Sequence, residues 1–410
     1  MILPFLAFLV LDFGGTEVQY GLIAAMYPLL QMVGAPLLGK WSDKIGRKKV
    51  LLISQMGTLL SWIIFLLAFL VPVVEVFSIQ SERFGVINFT LPLLIVIMAR
   101  ALDGLTGGNI SVANAYLSDI TPELDRKKNF GRMSSAMSLG FIIGPAIAGV
   151  LATFNNGNLL TILLTMAISS FGLIAIWRWL PEVAIKQEVY PCEEAKMKKV
   201  FGVEYRECYD LEVGRSNSWS SVLGQAKAPL MVMLFFLIFL AFNLFYATFS
   251  MYSSTELEWS AQKVGFFFTL LSGVMIIGQG PVLQVLSRRF SEEQLFAIGA
   301  LVMVGTFSCL TSQDPVIIYI GAVLFGLGNG VMWPSYLTML SKVGSPDKQG
   351  SLQGIANGSG SLASILGLVF GGFLLALWSE KIYFLSAALL LLIAFIGIVN
   401  MISSKTSLRA

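Results

Sequence analysis

Long stretches without a charged side chain dominate this chain of 410 residues. A helix needs about 20 apolar residues to cross a bilayer, because the segment itself must satisfy its backbone polar groups there. The stretches that are long enough cover residues 18–39, 50–74, 133–177, 228–255, 264–287, 294–313, 315–341, 349–379 and 382–404. The pattern predicts an all-α membrane protein.

The number of helices follows from three details of this pattern. The stretch 133–177 is long enough for two crossings and contains an Asn-Asn-Gly-Asn turn signal at 155–158, which divides it. Residues 91–118 form a further span despite two charged residues. Eleven full helices result, preceded by an apolar segment over residues 1–11. At roughly 1.5 Å per residue this segment is too short for a core about 30 Å thick, so we expect the given chain to begin inside a truncated first helix.

The composition excludes several classes of protein. Charged residues make up 12 % of the chain and hydrophobic residues 56 %, whereas soluble domains are about a quarter charged. The net charge is only +3 and the basic residues form no continuous face, so we expect no nucleic-acid binding. The chain has no histidine, and its three cysteines lack metal-ligand spacing. We therefore expect neither an enzyme nor a metal or cofactor site.

Lysine and arginine are distributed unevenly between alternate loops. One set of loops carries only Arg83, Lys263 and Lys381, while the other carries thirteen basic residues before the long central loop is counted. Loops rich in basic residues face the cytoplasm. We expect an integral, multi-pass protein of the plasma or inner membrane, with both termini in the cytoplasm once the first helix is completed.

Residues 182–228 form the only long hydrophilic stretch, with eight acidic and seven basic residues. It predicts three parts: an N-terminal bundle over 1–181, a cytoplasmic central loop over 182–228 and a C-terminal bundle over 229–410. A solvated linker explains the loop's nearly balanced charge, and a regulatory or lipid-binding role is the alternative.

Short matches relate the two halves to each other. One set of matches has a constant offset of 245 residues: Pro36, Leu38 and Ser42 recur as Pro281, Leu283 and Ser287. A second set has a constant offset of 222 residues: Gly104, Leu105 and Gly108 recur as Gly326, Leu327 and Gly330. With equal helix counts, they predict two pseudo-symmetric six-helix bundles around a central cavity. This arrangement is typical of secondary transporters that work by alternating access.

The basic loop 39–49 directly follows the second span. Its sequence resembles the signature loop between helices 2 and 3 of the major facilitator superfamily. Asp43 can accept charge-assisted hydrogen bonds and hold one half against the other, Gly46 permits a tight turn, and Arg47 supplies donors. Together with Gly39 they are predicted to form a cytoplasmic gate. The alternative is that the basic residues only anchor the loop.

Arg100 lies inside the span 91–118, where a charge is costly unless it faces the bundle interior. Asp103 is three residues on and shares that helix face. The spacing of Arg100 and Gly104 resembles the helix-4 motif of the same superfamily, whose arginine is implicated in proton coupling. Burial disfavours a charged Asp103 and Arg100 favours it, so the two are predicted to couple transport to protons. A static ion pair is the alternative.

The fifth span carries Gly140, Gly144, Pro145 and Gly149. Their spacing resembles the antiporter motif of proton-coupled drug exporters in the superfamily, although Ala148 stands where glycine is usual. The alternative is a close helix interface built on small residues.

The Leu180-Pro181-Glu182 ending of the sixth span is similar to the end of helix 6 in the superfamily. Residues 100–121 are similar to the 12-helix, tetracycline-type drug:proton antiporters in particular. The third span offers Ser54, Gln55 and Ser61 as polar groups, where tetracycline exporters carry an aspartate. The resemblance therefore implies a drug antiporter, but does not support tetracycline as its substrate.

Polar and aromatic residues inside the spans are the candidates for a substrate cavity: Gln31, Asn109, Asn114, Asn243, Tyr246, Trp333, Tyr336 and Asn357. Helix packing is the alternative role for each. Trp333 is the strongest candidate because Pro334 breaks its helix near mid-span. Such a cavity suits amphipathic or apolar compounds.

These observations predict a secondary transporter of the major facilitator type that exports drug-like or amphipathic small molecules in exchange for protons. A proton symporter or uniporter of a small metabolite on the same fold is the alternative. We expect a monomer whose partners are the small-molecule substrate, protons and the lipid bilayer.

Overall fold

The structure is a computed structural model. It describes residues 2–82, 85–121, 126–151, 154, 156–181, 197–200, 203–206, 223–225, 227–343 and 349–407. The described helices of the first half are α1 (Ile2–Asp12), α2 (Glu17–Ile45), α3 (Arg47–Leu67), α4 (Leu91–Thr106), α5 (Asn109–Ile120), α6 (Arg126–Leu151) and α7 (Gly157–Trp179).

The second half repeats this helical organisation. Its helical elements are α8 (Ala228–Thr255), α9 (Ala261–Ile277), a π-helical turn (Gly278–Val282), α10 (Leu283–Leu286), α11 (Glu292–Leu310), α12 (Pro315–Ser341), α13 (Gln349–Trp378), a 3-10 turn (Ser379–Lys381) and α14 (Ile382–Ser407).

The crossings agree with the predicted spans. Within the described residues, nine helical segments are long and apolar enough to cross a membrane, and the last of them, 352–397, includes both α13 and α14. Helices α4 and α5 form one crossing, as do α9, the π-helical turn and α10. With α1 and α6, each half contributes six helices. Since α1 covers 11 residues, it is shorter than a full crossing.

Two short hairpins depart from the all-α prediction. Strands β1 (Glu75–Ser81) and β2 (Gly85–Thr90) pair between α3 and α4, and β3 (Met197–Val200) pairs with β4 (Val203–Arg206) in the central loop. Most of the predicted linker 182–228 lies outside the described residues.

The β1–β2 hairpin is attached to the helices through its second strand. Gln19 donates from Nε2 to the carbonyl oxygen of Asn88 at 2.8 Å, and the Thr90 hydroxyl donates to the carbonyl oxygen of Phe13 at 2.9 Å. We call this end of the helices the hairpin end. The opposite end, where residues 40–49 and 287–292 lie, is the basic end.

Glycines pack equivalent helix pairs together in the two halves. A Cβ on Gly108 of α5 would lie 2.6 Å from the Cα of Ala35 in α2. A Cβ on Gly330 of α12, its counterpart at offset 222, would lie 2.8 Å from the Cα of Gly278. The second crossing therefore contacts the fourth as the eighth contacts the tenth, and this confirms the internal repeat.

The halves touch each other at the hairpin end. A Cβ on Gly21 of α2 would lie 2.7 Å from the carbonyl oxygen of Leu368 and 3.0 Å from the Cα of Gly372, both in α13. A Cβ on Gly149 of α6 would lie 3.1 Å from the Cα of Gly265 in α9. Only glycine allows backbones to approach so closely, so this end of the molecule is closed.

The same helices diverge toward the basic end. A Cβ on Gly140 of α6, Gly280 of the π-helical turn or Gly354 of α13 would meet no atom of the described residues within 4 Å. On α2 the side chains of Val33 and Leu37 are about half exposed. A cleft between the halves therefore opens at the basic end.

Replacing Gly21 by leucine is expected to weaken closure of the hairpin end. A leucine side chain has no room against α13, so the Gly21→Leu variant should populate a state in which the hairpin end is open. Spin labels at Val73 and Glu258, one in each half and both exposed, would report a longer distance. Gly273→Leu is the control, because a Cβ there meets no described atom within 4 Å. Equal distance distributions in both variants would contradict the assignment.

Candidate functional site

Arg100 is buried inside the N-terminal half. Its side chain is 6 % exposed, and Nη1 lies 3.5 Å from Oδ2 of Asp103, one turn further along α4. The guanidinium carbon lies 4.8 Å from the ring centroid of Tyr27 in α2, a cation–π distance. Arg100 therefore faces the interior of the bundle, as the sequence predicts, and makes no contact with the lipid side.

Asp103 lies beside α3. A small void next to the pair is lined by Ser61, Trp62 and Phe65 of that helix, and the Ser61 hydroxyl donates to the carbonyl oxygen of Thr58 at 2.7 Å. Within the described residues, Nε of Arg100 is buried without a hydrogen-bond partner. Leaving a buried charged donor unpaired costs free energy, so a rearrangement that gives Nε a partner would be favourable.

Tyr27 and Gln31 lie beside the pair on α2. Both are partly exposed, and Nε2 of Gln31 donates to the Tyr27 hydroxyl and to the carbonyl oxygen of Gly107, each at 3.2 Å. The Tyr27 ring covers the guanidinium of Arg100. Sequence analysis missed Tyr27. Its spacing from Tyr20 and Gln31 places all three on one helix face, and this spacing could have revealed it.

The pair has no equivalent in the second half. At the repeat offset of 222 residues, the counterparts of Arg100 and Asp103 are Ala322 and Phe325, both fully buried. The same helix packing is therefore formed elsewhere in this chain with apolar residues. Because a buried ion pair is weak evidence for stability, the charges in the first half point to a function.

The predicted cytoplasmic gate is bonded within its own loop. Nη1 of Arg47 lies 2.5 Å from Oδ1 of Asp43 and donates to the Ser42 hydroxyl at 2.6 Å. Ser42 in turn donates to the carbonyl oxygen of Gly39, and Gly46 has a φ of 104°, which favours glycine. The Asp43 side chain is 62 % exposed. Because the cleft is open at this end, a bond from Asp43 to the other half stays a prediction for the closed state.

The predicted antiporter motif lies along the interface between the halves. Gly149 packs against Gly265 of α9 at the closed end, Gly144 is buried, and Gly140 is exposed in the open cleft. The side chain of Pro145 lies outside the described residues.

The candidate cavity residues comprise partly exposed residues of the first half, accessible residues of the second half, and residues whose hydrogen bonds lie within the helix bundles. Gln31, Asn109 and Asn114 are partly exposed in the first half, and Trp333 and Asn357 are accessible in the second. Nδ2 of Asn243 donates to the Ser364 hydroxyl at 2.9 Å, which ties α8 to α13.

The two candidate tyrosines make hydrogen bonds within the helix bundles, Tyr336 through its side chain and Tyr246 through its backbone. Tyr336 is fully buried and its hydroxyl donates to the carbonyl oxygen of Met231 at 2.8 Å, so it supports Trp333 from behind. The carbonyl oxygen of Tyr246 accepts from the Tyr20 hydroxyl at 3.5 Å, which joins the two halves.

Trp333 is part of an aromatic wall. Its ring stacks on Tyr336 with centroids 5.7 Å apart, and it meets the rings of Phe235 and Phe239 edge-on at 5.5 and 5.6 Å. Phe235 and Phe239 stack on each other. Sequence analysis missed these two phenylalanines, because their spacing of four residues is equally typical of ordinary helix packing.

Comparison with known proteins decides the family. Two overlapping segments of the chain, residues 1–304 and 231–406, match the Major Facilitator Superfamily. The chain belongs to this superfamily. The motifs in the basic loop, α4 and α6 that resemble those of the superfamily therefore occur in a chain with the same fold. The predicted architecture of two six-helix bundles is confirmed.

Members of the superfamily are similar to this chain over nearly its whole length. It is 23 % identical to the class B tetracycline resistance protein of Escherichia coli, over 99 % of the chain and 92 % of that protein. It is 25 % identical to multidrug resistance protein 1 of Bacillus subtilis (strain 168), over 88 % and 80 % respectively.

Solved structures of the superfamily share the fold. The crystal structure of a D-xylose–proton symporter has a TM-score of 0.69 at 17 % identity, covering 93 % of this chain and 87 % of that one. An inward-open conformation of the xylose transporter of E. coli has a TM-score of 0.66 at 14 % identity, covering 92 % and 85 %.

Removing one charge of the buried pair should destabilise the protein more than removing both. Arg100→Leu leaves a buried carboxylate without its counter-ion, which costs about 3–5 kcal/mol of unfolding free energy. Adding Asp103→Leu should recover most of this loss, since Ala322 and Phe325 show that apolar residues fit the repeat. Unfolding in mixed micelles measures both variants.

An exposed ion pair provides the control for this experiment. Nζ of Lys342 lies 2.7 Å from Oε1 of Glu292, and the two side chains are 61 % and 38 % exposed. Lys342→Ala should therefore change the free energy of unfolding by at most about 1 kcal/mol. If the losses of unfolding free energy caused by the Arg100→Leu and Asp103→Leu substitutions simply added, the two buried charges would not interact, and the prediction would be wrong.

Proposed function

We propose that this member of the Major Facilitator Superfamily exports drug-like or amphipathic small molecules in exchange for protons. The observation that carries the proposal is the buried Arg100–Asp103 pair, present in one half and replaced by apolar residues in the other. Similarity to tetracycline resistance and multidrug resistance proteins supports export.

Asp103 is the proton carrier in the proposed cycle. With the basic end open, ionised Asp103 accepts from Arg100. A proton on Asp103 removes its attraction for Arg100, which then interacts with Tyr27 or with groups of the cleft. The two protonation states thus favour different side-chain arrangements, as a coupled transporter requires.

The substrate occupies the cleft between a polar wall and an aromatic wall. Tyr27, Gln31 and Asn109 line the first half and offer hydrogen bonds, whereas Phe239 and Trp333 offer apolar ring surface in the second. Sites of this kind select ligands by apolar area and a few polar contacts. A compound with an apolar body and one polar edge matches both walls.

Closure of the basic end completes the cycle. Asp43 and Arg47 then hold the loop against the second half, while Gly140 lets α6 approach α9. The hairpin end opens as the contacts of Gly21 and Gly149 separate. This is alternating access by rocking of two bundles, the mode that repeated transporter halves support.

The remaining features of the proposal are the orientation in the membrane, which follows from the basic residues in the loops, and the kind of activity. The basic end faces the cytoplasm of a cell whose plasma or inner membrane holds the protein as a monomer, with both termini on that side once the first helix is completed. Within the described residues there is no group of three or more His, Cys, Asp or Glu side chains that could hold a metal ion. The proposed activity is transport without a chemical reaction on the substrate, in keeping with membership of the superfamily.

Retention of fluorescent amphipathic compounds in a host without its own efflux pumps tests the proposal. Cells expressing the protein should retain less compound than control cells, and a protonophore should restore retention, because collapse of the proton gradient removes the driving force. Tetracycline belongs in the panel as a compound that the third span does not favour. If no compound responds to the protein or to the protonophore, drug export is wrong.

Two variants sharpen this experiment. Asp103→Asn keeps the side-chain shape but cannot exchange a proton, so export should be lost while the protein still folds. Asp314→Asn is the control, since Asp314 caps α12 at the surface, far along the chain from the pair. Accumulation that falls with the protonophore, and depends on Asp103, would favour the metabolite symporter instead.

A further inference from the structure

The β1–β2 hairpin has one face built from large apolar side chains. Phe77 pairs with Phe89 and Ile79 pairs with Ile87 in the antiparallel register. Directly paired residues present their side chains on the same face. The rings of Phe77 and Phe89 stack with centroids 4.7 Å apart.

The outer strand of this face is uncovered. Phe77 is 45 % exposed and Ile79 is 50 % exposed, whereas Ile87 on the inner strand is 9 % exposed. The inner strand is also the one that hydrogen-bonds to the helices, through Asn88 and Thr90. Large apolar side chains on an exposed edge are unfavourable in water, and a lone two-stranded hairpin is only marginally stable.

The exposed edge continues the surface of α3 that faces lipid. Helix α3 packs against α2, α4, α5 and α7 of its own half, and its outer side carries an exposed apolar stripe. The stripe is formed by Ile53, Met56, Leu60, Ile63, Leu67 and Leu70. Exposed Val73 and Val74 extend it from the end of the helix to the start of β1.

The polar residues of the hairpin occupy other positions. Ser78 and Gln80 alternate with Phe77 and Ile79 along β1, so they point to the opposite face. Glu75 begins the strand and Glu82 follows it. That opposite face is mixed, because Val76 and Val86 on it are also more than half exposed, whereas Phe77, Ile79, Ile87 and Phe89 make the first face apolar at all four positions. The larger and continuous apolar face is the one suited to the acyl chains at a membrane surface.

We propose that the β1–β2 hairpin lies in the boundary between headgroups and acyl chains of the leaflet at the hairpin end. Phe77 and Ile79 enter the acyl chains, and Ser78 and Gln80 face the aqueous side. The lipid surface covers the apolar edge that the protein leaves open. The hairpin thereby fixes the depth at which α3 and α4 sit in the bilayer.

Spin labels on single cysteines test this arrangement in reconstituted liposomes. The background protein carries Cys→Ser at Cys192, Cys208 and Cys309. Phe77→Cys and Ile79→Cys report the apolar face, and Ser78→Cys and Gln80→Cys are matched controls on the same strand. Labels at 77 and 79 should collide more with oxygen, which dissolves in acyl chains, and less with a water-soluble nickel chelate. Labels at 78 and 80 should show the reverse.

Each other result overturns the proposal. Equal access of the nickel chelate to all four labels would place the hairpin in water. Shielding of 77 and 79 from both reagents, with spin–spin broadening, would place a second copy of the chain on this face. Should the cysteine variants fail to reconstitute, Phe77→Trp and Gln80→Trp give the same comparison through added fluorescence quenching by brominated lipids, with the parent protein as baseline.

Discussion

A guanidinium buried in a membrane bundle must be neutralised by groups of the bundle itself, and this requirement organises the first half of the protein. Arg100 brings a carboxylate from its own helix, an aromatic face from α2 and, around the adjoining void, side chains of α3 into one small volume. Three helices are thus tied to a single charge. Any change in that charge is transmitted to all of them, because a packed bundle does not deform continuously.

Glycine determines where the two halves can meet. At the hairpin end, Gly21 and Gly149 allow backbone contact between helices of different halves, and at the basic end Gly140 and Gly354 lie in open space. Both sets occur on the helix pairs α2–α13 and α6–α9. The structure therefore shows one end of each pair closed, with small residues available at the other. Such an arrangement suits a molecule that breaks the helix contacts at one end and forms helix contacts at the other end at little cost in packing.

The crossings were predictable from the sequence, because the cost of charge in lipid leaves clear gaps between charged residues. The buried position of Arg100 followed from the same cost. The β1–β2 hairpin was not predicted, since its first strand follows a charge-free stretch that continues beyond the end of α3. The partner of Arg100 in α2 was missed too, because Tyr27 is remote in sequence. The burial of Tyr336, whose hydroxyl donates to the carbonyl oxygen of Met231, was not predictable either, because polarity alone does not reveal which way a side chain faces.

The ionised pair of Arg100 and Asp103 is electrically neutral, and this has a consequence for energetics. When Asp103 takes up a proton in the proposed cycle, the pair acquires one positive charge inside the membrane. A conformational step that moves this charge through the full membrane field gains or loses about 2.3 kcal/mol per 100 mV. The voltage across the membrane, and not only the difference in acidity between its two sides, then sets how far the exporter can concentrate its substrate.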